Sequence, residues 1–233
     1  MMEDRIQDVI IPHLITELRK EGVAGLPEYE RRLRNNAGDT EVFKDLLFEA
    51  DAALMFLHHG FEVTLREKPD LRIEWNGEVA YAEVKHFREK EQDRIDEQAM
   101  YESEDLVPVG ILVPTEGSEA WEQIANVAVR KVNQYKEDAP NILVIATNSN
   151  SIDGIILPTA VHLYNEQASS DPRLHKLNAF VLIDQWIELR TNRNVYFCQT
   201  ACAVTPLSSK MIDALTSIQQ WSTPKNITSI RYS

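Results

Sequence analysis

The chain has 233 residues, 43% hydrophobic and 26% charged. This is ordinary globular composition, long enough to bury a core without disulfides and outside the disordered and collagenous classes. A formal net charge of −13 excludes a protein that coats nucleic acid through a uniformly basic surface, so any nucleic-acid groove has to be a local basic patch on an acidic body.

The opening MMEDRIQDVI lacks the basic and then apolar pattern of a signal peptide. No apolar run reaches membrane-spanning length, so a cytoplasmic location and no membrane partner are expected. Ile6, Val9, Ile10, Leu14 and Leu18 recur at helical spacing and predict an amphipathic helix over 4–20. Residues 27–36 carry Arg31, Arg32 and Arg34 and read as a basic bridge. Asp39 or Thr40 then caps the clearest helix, 41–59, whose stripe is Phe43, Leu46, Leu47, Ala50, Ala53, Leu54 and Leu57. His58 and His59 close it, where imidazolium complements the helix dipole, and Gly60 ends it.

Strands are predicted at 61–66, 70–75 and 78–86, the last two joined by Asn76-Gly77, a strong two-residue hairpin signal. Residues 88–105 are highly charged and acidic, and 109–113 is a short strand candidate. A second amphipathic helix spans 117–135, with Trp121, Ile124, Ala125, Ala128, Val132 and Tyr135 on its buried face. The β-branched run 141–146 reads as a buried strand. Beyond Thr147 the pattern weakens: a polar loop at 148–153, a strand at 179–183, a hairpin of 187–189 with 195–198, and a polar end from 222. Cys198 and Cys202 lack a second ligand pair at metal spacing and read as small buried hydrophobes.

The chemistry concentrates on the hairpin. Val79, Tyr81, Glu83 and Lys85 share one face of the third strand, and His86 lies on the other. Asp70 opens the antiparallel neighbour directly after Pro69, which brings it within reach of Glu83 and Lys85. Glu49 sits at the border of the apolar stripe on the preceding helix. Three converging carboxylates and a lysine suit a hard dication, because Mg²⁺ takes a few carboxylates and completes its shell with water and phosphate oxygens. Arg31, Arg32, Arg34, Arg66, Lys68 and Arg72 could contact phosphates, or equally pair with the acidic surface.

Pro69-Asp70, then Glu83-Val84-Lys85, with Glu49 on the helix before them, resembles the PD-(D/E)XK nuclease superfamily. The motif match covers 41–85, and element order extends it to about 147. The resemblance implies an α/β fold with a restriction-endonuclease-like α-β-β-β-α-β core, a mixed sheet flanked by helices. That core would be 38–147 of a single domain, with an N-terminal helical extension (1–37) and a C-terminal α/β elaboration (148–233).

It further implies that Asp70, Glu83 and the Val84 carbonyl bind Mg²⁺, with Mn²⁺ as a substitute. Lys85 would position the attacking water, and Glu49 would hold a second metal or a metal-bound water. Lys131 and Gln134 are auxiliary candidates on the second helix, although Tyr135 directly after Gln134 departs from the Gln-x-x-x-Tyr pattern of some exonucleases. The expected activity is an Mg²⁺-dependent endonuclease acting on DNA in preference to RNA, with a homodimer as the default assembly for a cleaver of both strands. The competing expectation is a catalytically silent binding or assembly module on the same fold.

Overall fold

The computed structural model describes residues 2–87, 120–147, 154–184 and 193–228. Seven strands form one mixed sheet whose spatial order is the order of the chain. They are β1 (Glu62–Leu65), β2 (Leu71–Trp75), β3 (Glu78–Phe87), β4 (Asn141–Thr147), β5 (Leu177–Ile183), β6 (Arg193–Gln199) and β7 (Gln220–Trp221). The central pairs β3–β4 and β4–β5 are parallel, and the outer pairs are antiparallel. Asn76 and Gly77 both have positive φ (50° and 83°), the geometry their turn requires, and this sets the β2–β3 register.

Along β4, Ile142, Val144 and Ala146 face one apolar cluster while Leu143 and Ile145 face another, so helices cover the sheet on both sides. The first side holds α1 (Met2–Arg5), a π-helical turn (Ile6–Ile10) and α2 (Ile11–Glu21), which follow end to end. It also holds α3 (Leu26–Asn35), α4 (Thr40–His58) and α7 (Ser209–Thr216). The second side holds α5 (Ala120–Arg130) and α6 (Leu157–Ser170). A short α8 (Lys225–Thr228) closes the described chain.

The basic stretch 27–36 is α3, a helix rather than a bridge. Its buried stripe is only Leu26, Tyr29 and Leu33, so its charges hide the period. The link from α2 to α3 lies along β1: Ala24 donates to the Val63 carbonyl (3.0 Å) and Leu65 donates to that of Ala24 (2.9 Å). Gly25 has φ +81°, and a Cβ there would lie 2.0 Å from the Leu65 carbonyl oxygen, so only glycine permits this approach. The otherwise free edge of the sheet is thereby covered.

Helix α6 was not anticipated from sequence. Its buried residues Leu157, Ala160, Val161, Tyr164 and Ala168 fall at helical spacing, but two of the five are alanines that contribute little apolar signal. Helix α7, capped by Ser208 through the Met211 N–H (3.1 Å), and β7 were missed as well. Strand β6 pairs with β5 and β7. Its expected partner at 187–189 lies outside the described residues, as do the charged stretch 88–105, the candidate strand 109–113, the start of the second helix at 117–119, the loop 148–153 and the end from 229. Cys198 and Cys202 are free thiols, half-buried rather than buried.

Asp39 caps α4, accepting from the N–H groups of Glu41 and Val42 (both 3.1 Å). From Phe48 to Phe56 the helix is buried on every side, and that stretch includes Glu49 and Asp51. Each acid meets an arginine from a different part of the chain. Arg32 of α3 donates to Glu49, and Arg193 of β6 donates to Asp51 (2.7 Å). Asp51 also accepts from Trp221 Nε1 (3.0 Å) and Thr223 Oγ1 (2.6 Å).

Removing one partner of a buried pair strands the other charge. Arg193→Met is therefore expected to cost about 3–5 kcal/mol of stability by urea denaturation. A loss below about 1 kcal/mol, the size of an exposed pair, would show that Asp51 does not depend on Arg193.

Candidate active site

The β2–β3 ladder ends at Leu71–Ala82, while β3 continues against β4 as far as Phe87–Thr147. A fork opens where β2 stops, and Asp70 stands in it. The Arg66 N–H donates to the Asp70 carbonyl (2.7 Å) and closes the β1–β2 loop. The Val84 N–H has no further β2 backbone to meet and donates instead to Asp70 Oδ2 (2.8 Å). Asp70 and Glu83 are 8% and 3% exposed.

Glu83 Oε1 accepts from Lys131 Nζ (2.5 Å), which also donates to Gln134 Oε1 (2.9 Å). Glu83 Oε2 is buried with no hydrogen-bond partner among the described residues. Glu49, also buried, reaches the fork from the other side of the sheet. Its partner Arg32 donates a second bond to the Arg66 carbonyl (2.6 Å).

These acids act on one another. Burial, and next the charge of Glu83, push the Asp70 carboxyl from its ordinary 3.8 up to about 7. Burial, and next the charge of Asp70, raise Glu49 well above the carboxylate range, with Arg32 pulling the other way.

The structure thus gathers Glu49, Asp70, Glu83 and Lys131, with Gln134 holding Lys131. Lys85 is half-buried on the Glu83 face, and the carboxylate it meets is Asp45, at 3.8 Å. Asp45 also lies 3.6 Å from Nδ1 of the buried His86. The involvement of Asp45 was not anticipated, although it stands one helical turn before Glu49 on α4 and so shares its face. Arg32 appeared in sequence only as one of several candidate phosphate contacts. Of the other cations in that set, Arg31 pairs with Glu28, Arg34 with Glu30 (2.7 Å) and Arg72 with Glu74 (2.5 Å). His58 meets Glu21 (2.9 Å), and His59 Nδ1 meets the Met55 carbonyl (2.7 Å) at the end of α4.

Among the described residues, no group of three or more His, Cys, Asp and Glu side chains is placed to hold a metal ion. A hard dication needs fewer: one or two carboxylates, with water and phosphate completing the shell. Asp70 and Glu83 fit that requirement, because Glu83 presents a buried unpartnered oxygen to a neighbour whose carboxyl resists ionising beside it. No protein family, curated protein or solved structure matches this chain. Among the described residues, no helix is long and apolar enough to cross a membrane.

A carboxyl whose pKa is higher folded than unfolded binds more protons in the folded state between the two values. Stability then falls as pH rises through that window. In chelator, the protein is expected to lose stability between about pH 4 and pH 7, on the order of 4 kcal/mol from Asp70 at full ionisation. Asp70→Asn should flatten that slope in urea melts. An unchanged slope in the variant would show that Asp70 is not the strained group.

Proposed function

We propose that this chain is a divalent-cation-dependent nuclease of the PD-(D/E)XK kind, with a restriction-endonuclease-like core and DNA as its first-choice substrate. The observation that carries the reading is the fork itself: two buried carboxylates in mutual repulsion, one with an oxygen that nothing among the described residues meets. A dication resolves that conflict. Asp70 and Glu83 are the residues that would hold Mg²⁺ or Mn²⁺, with Glu49 and the Val84 carbonyl as further candidates. The ion supplies positive charge against a phosphate and a lowered pKa for water.

The chain's own residues prepare the rest. Lys131 neutralises one Glu83 oxygen and leaves the other to face the fork. Gln134 fixes the Lys131 ammonium, and Arg32 supplies a counter-charge to Glu49. Among the described residues, the carboxylate that Lys85 meets is Asp45, a loose, half-buried contact worth little energetically. Its ammonium is therefore free to turn to a phosphate, where it would offset charge built up during displacement.

The same contact supports a second reading. Lys85 on Asp45 and Lys131 on Glu83 leave the motif lysine engaged elsewhere, as suits a silent binding or assembly module of this fold.

Supercoiled plasmid, linear duplex, single-stranded DNA and RNA should be offered to the purified protein with Mg²⁺, with Mn²⁺ and with chelator. Cutting is expected only with metal. Asp70→Asn and Glu83→Gln should each reduce it about a hundredfold or more, in line with the loss of a single transition-state charge partner elsewhere. Mg²⁺ should also raise the melting temperature at pH 8, and Glu83→Gln should remove that rise. If no substrate is cut and the melting temperature ignores Mg²⁺, the nuclease reading fails and the silent-module reading takes its place.

A further inference from the structure

Among the described residues, eleven of the nineteen arginines and lysines are spent on carboxylates. Two that are not lie over the ring of one tyrosine, Tyr81, beside the fork. The Arg66 guanidinium lies 5.4 Å from the centroid of the Tyr81 ring and Lys136 Nζ 5.6 Å from it. The aromatic face attracts both cations, and neither has an ion pair among the described residues. Glu137, next to Lys136, is turned to Lys176 (3.0 Å).

The seat of these cations is fixed by backbone hydrogen bonds. Arg66 donates its N–H to the Asp70 carbonyl (2.7 Å) and accepts from Arg32 at its own carbonyl (2.6 Å). The buried Asn141, opposite Tyr81 in the β3–β4 register, grips Lys136 at both ends. It accepts from the Lys136 N–H and donates to the Lys136 carbonyl, each at 2.8 Å. The Tyr81 N–H donates to the Pro140 carbonyl (2.9 Å). All three side chains therefore spring from backbone held by specific partners, the arrangement expected of a preorganised site.

Tyr81 and Glu83 share a strand face two residues apart, about 7 Å at strand rise. Tyr81 thus stands beside the fork, on the strand face that carries Glu83.

We propose that Arg66, Tyr81 and Lys136 form a backbone subsite that takes the phosphates of a nucleic-acid strand next to the one in the fork. The proposal rests on the nuclease reading and adds how the substrate is held. Charge complementarity selects the occupant: two uncompensated cations beside an acidic fork suit a polymer of spaced phosphates, and they give affinity without base preference.

The test is fluorescence anisotropy with a labelled single strand and a labelled duplex of equal length, over a salt series. It uses Glu83→Gln protein so that bound strands stay uncut. Adding Arg66→Ala or Lys136→Ala is expected to weaken binding about tenfold at low salt for any base sequence, and to lower the slope of log K against log salt by about 1. Tyr81→Phe should bind like its parent, whereas Tyr81→Leu should weaken binding because the cations lose their seat. Arg19→Ala on α2 is the charge-matched control and should change nothing. Melting temperatures of all variants separate lost affinity from lost fold.

If Arg66→Ala and Lys136→Ala bind like the parent, and in the otherwise wild-type chain cut at an undiminished rate, the subsite is wrong while the nuclease reading survives. If the parent binds neither strand form and the wild-type chain cuts nothing, both fall together.

Discussion

Everything at the candidate site follows from where β2 stops. A ladder that ran two pairs further, to Pro69–Val84, would meet the Val84 N–H with backbone instead of the Asp70 side chain. Because it ends at Leu71–Ala82, a side chain does the work of a strand. The carboxylate so recruited lies in the sheet plane, between the helices of the two faces and beside Glu83. Burial and like charge then make the pair unfavourable on its own. Such a conflict persists in a fold only when the surroundings over-determine it. Here the turn at Asn76-Gly77 fixes the β2–β3 register, and β4 holds β3 straight past the fork.

Helix α4 makes the second half of the arrangement. Its middle is buried on every side, yet it carries two acids there, answered by arginines 17 and 142 residues away in sequence. Arg32 makes α3 part of the site, since the same guanidinium ties Glu49 to the loop that presents Asp70. Arg193 plays no direct part in the fork, but it holds the face of α4 that packs against the end of the described chain. The segments before and after the central strands are thus wired to the helix that supplies Glu49.

Much of this was visible in the chain itself. Local signals set the α4 boundaries, the Asn-Gly hairpin, the placement of Asp70 beside Glu83, and the buried β4. They are strong because each depends on residues a few positions apart. What sequence did not reveal depends on packing between distant elements. Lys131 reaches Glu83 from the turn that follows α5, across 48 residues of chain, which no local spacing encodes. Lys85 meets Asp45 on α4, a contact across 40 residues of chain rather than with its strand neighbour Glu83. Helices α3 and α6 escaped notice for opposite reasons: one has its apolar stripe submerged in charge, and the other builds its stripe partly from alanine. The likeness of 41–85 to a nuclease motif rests on the same local residues and is the basis of a proposal, not of a fold assignment. The structure establishes an α/β architecture with a mixed sheet.

The pair between Asp51 and Arg193 spans 142 residues. During synthesis at roughly 5–20 residues per second, Asp51 emerges from the ribosome many seconds before the guanidinium that will neutralise it. Through that interval α4 cannot bury its central stretch without stranding a charge. The nascent sheet must therefore wait, with this helix only loosely docked, until β6 and Trp221 arrive. The order of translation thus makes β6 and Trp221 a latch that closes on a helix made well before them.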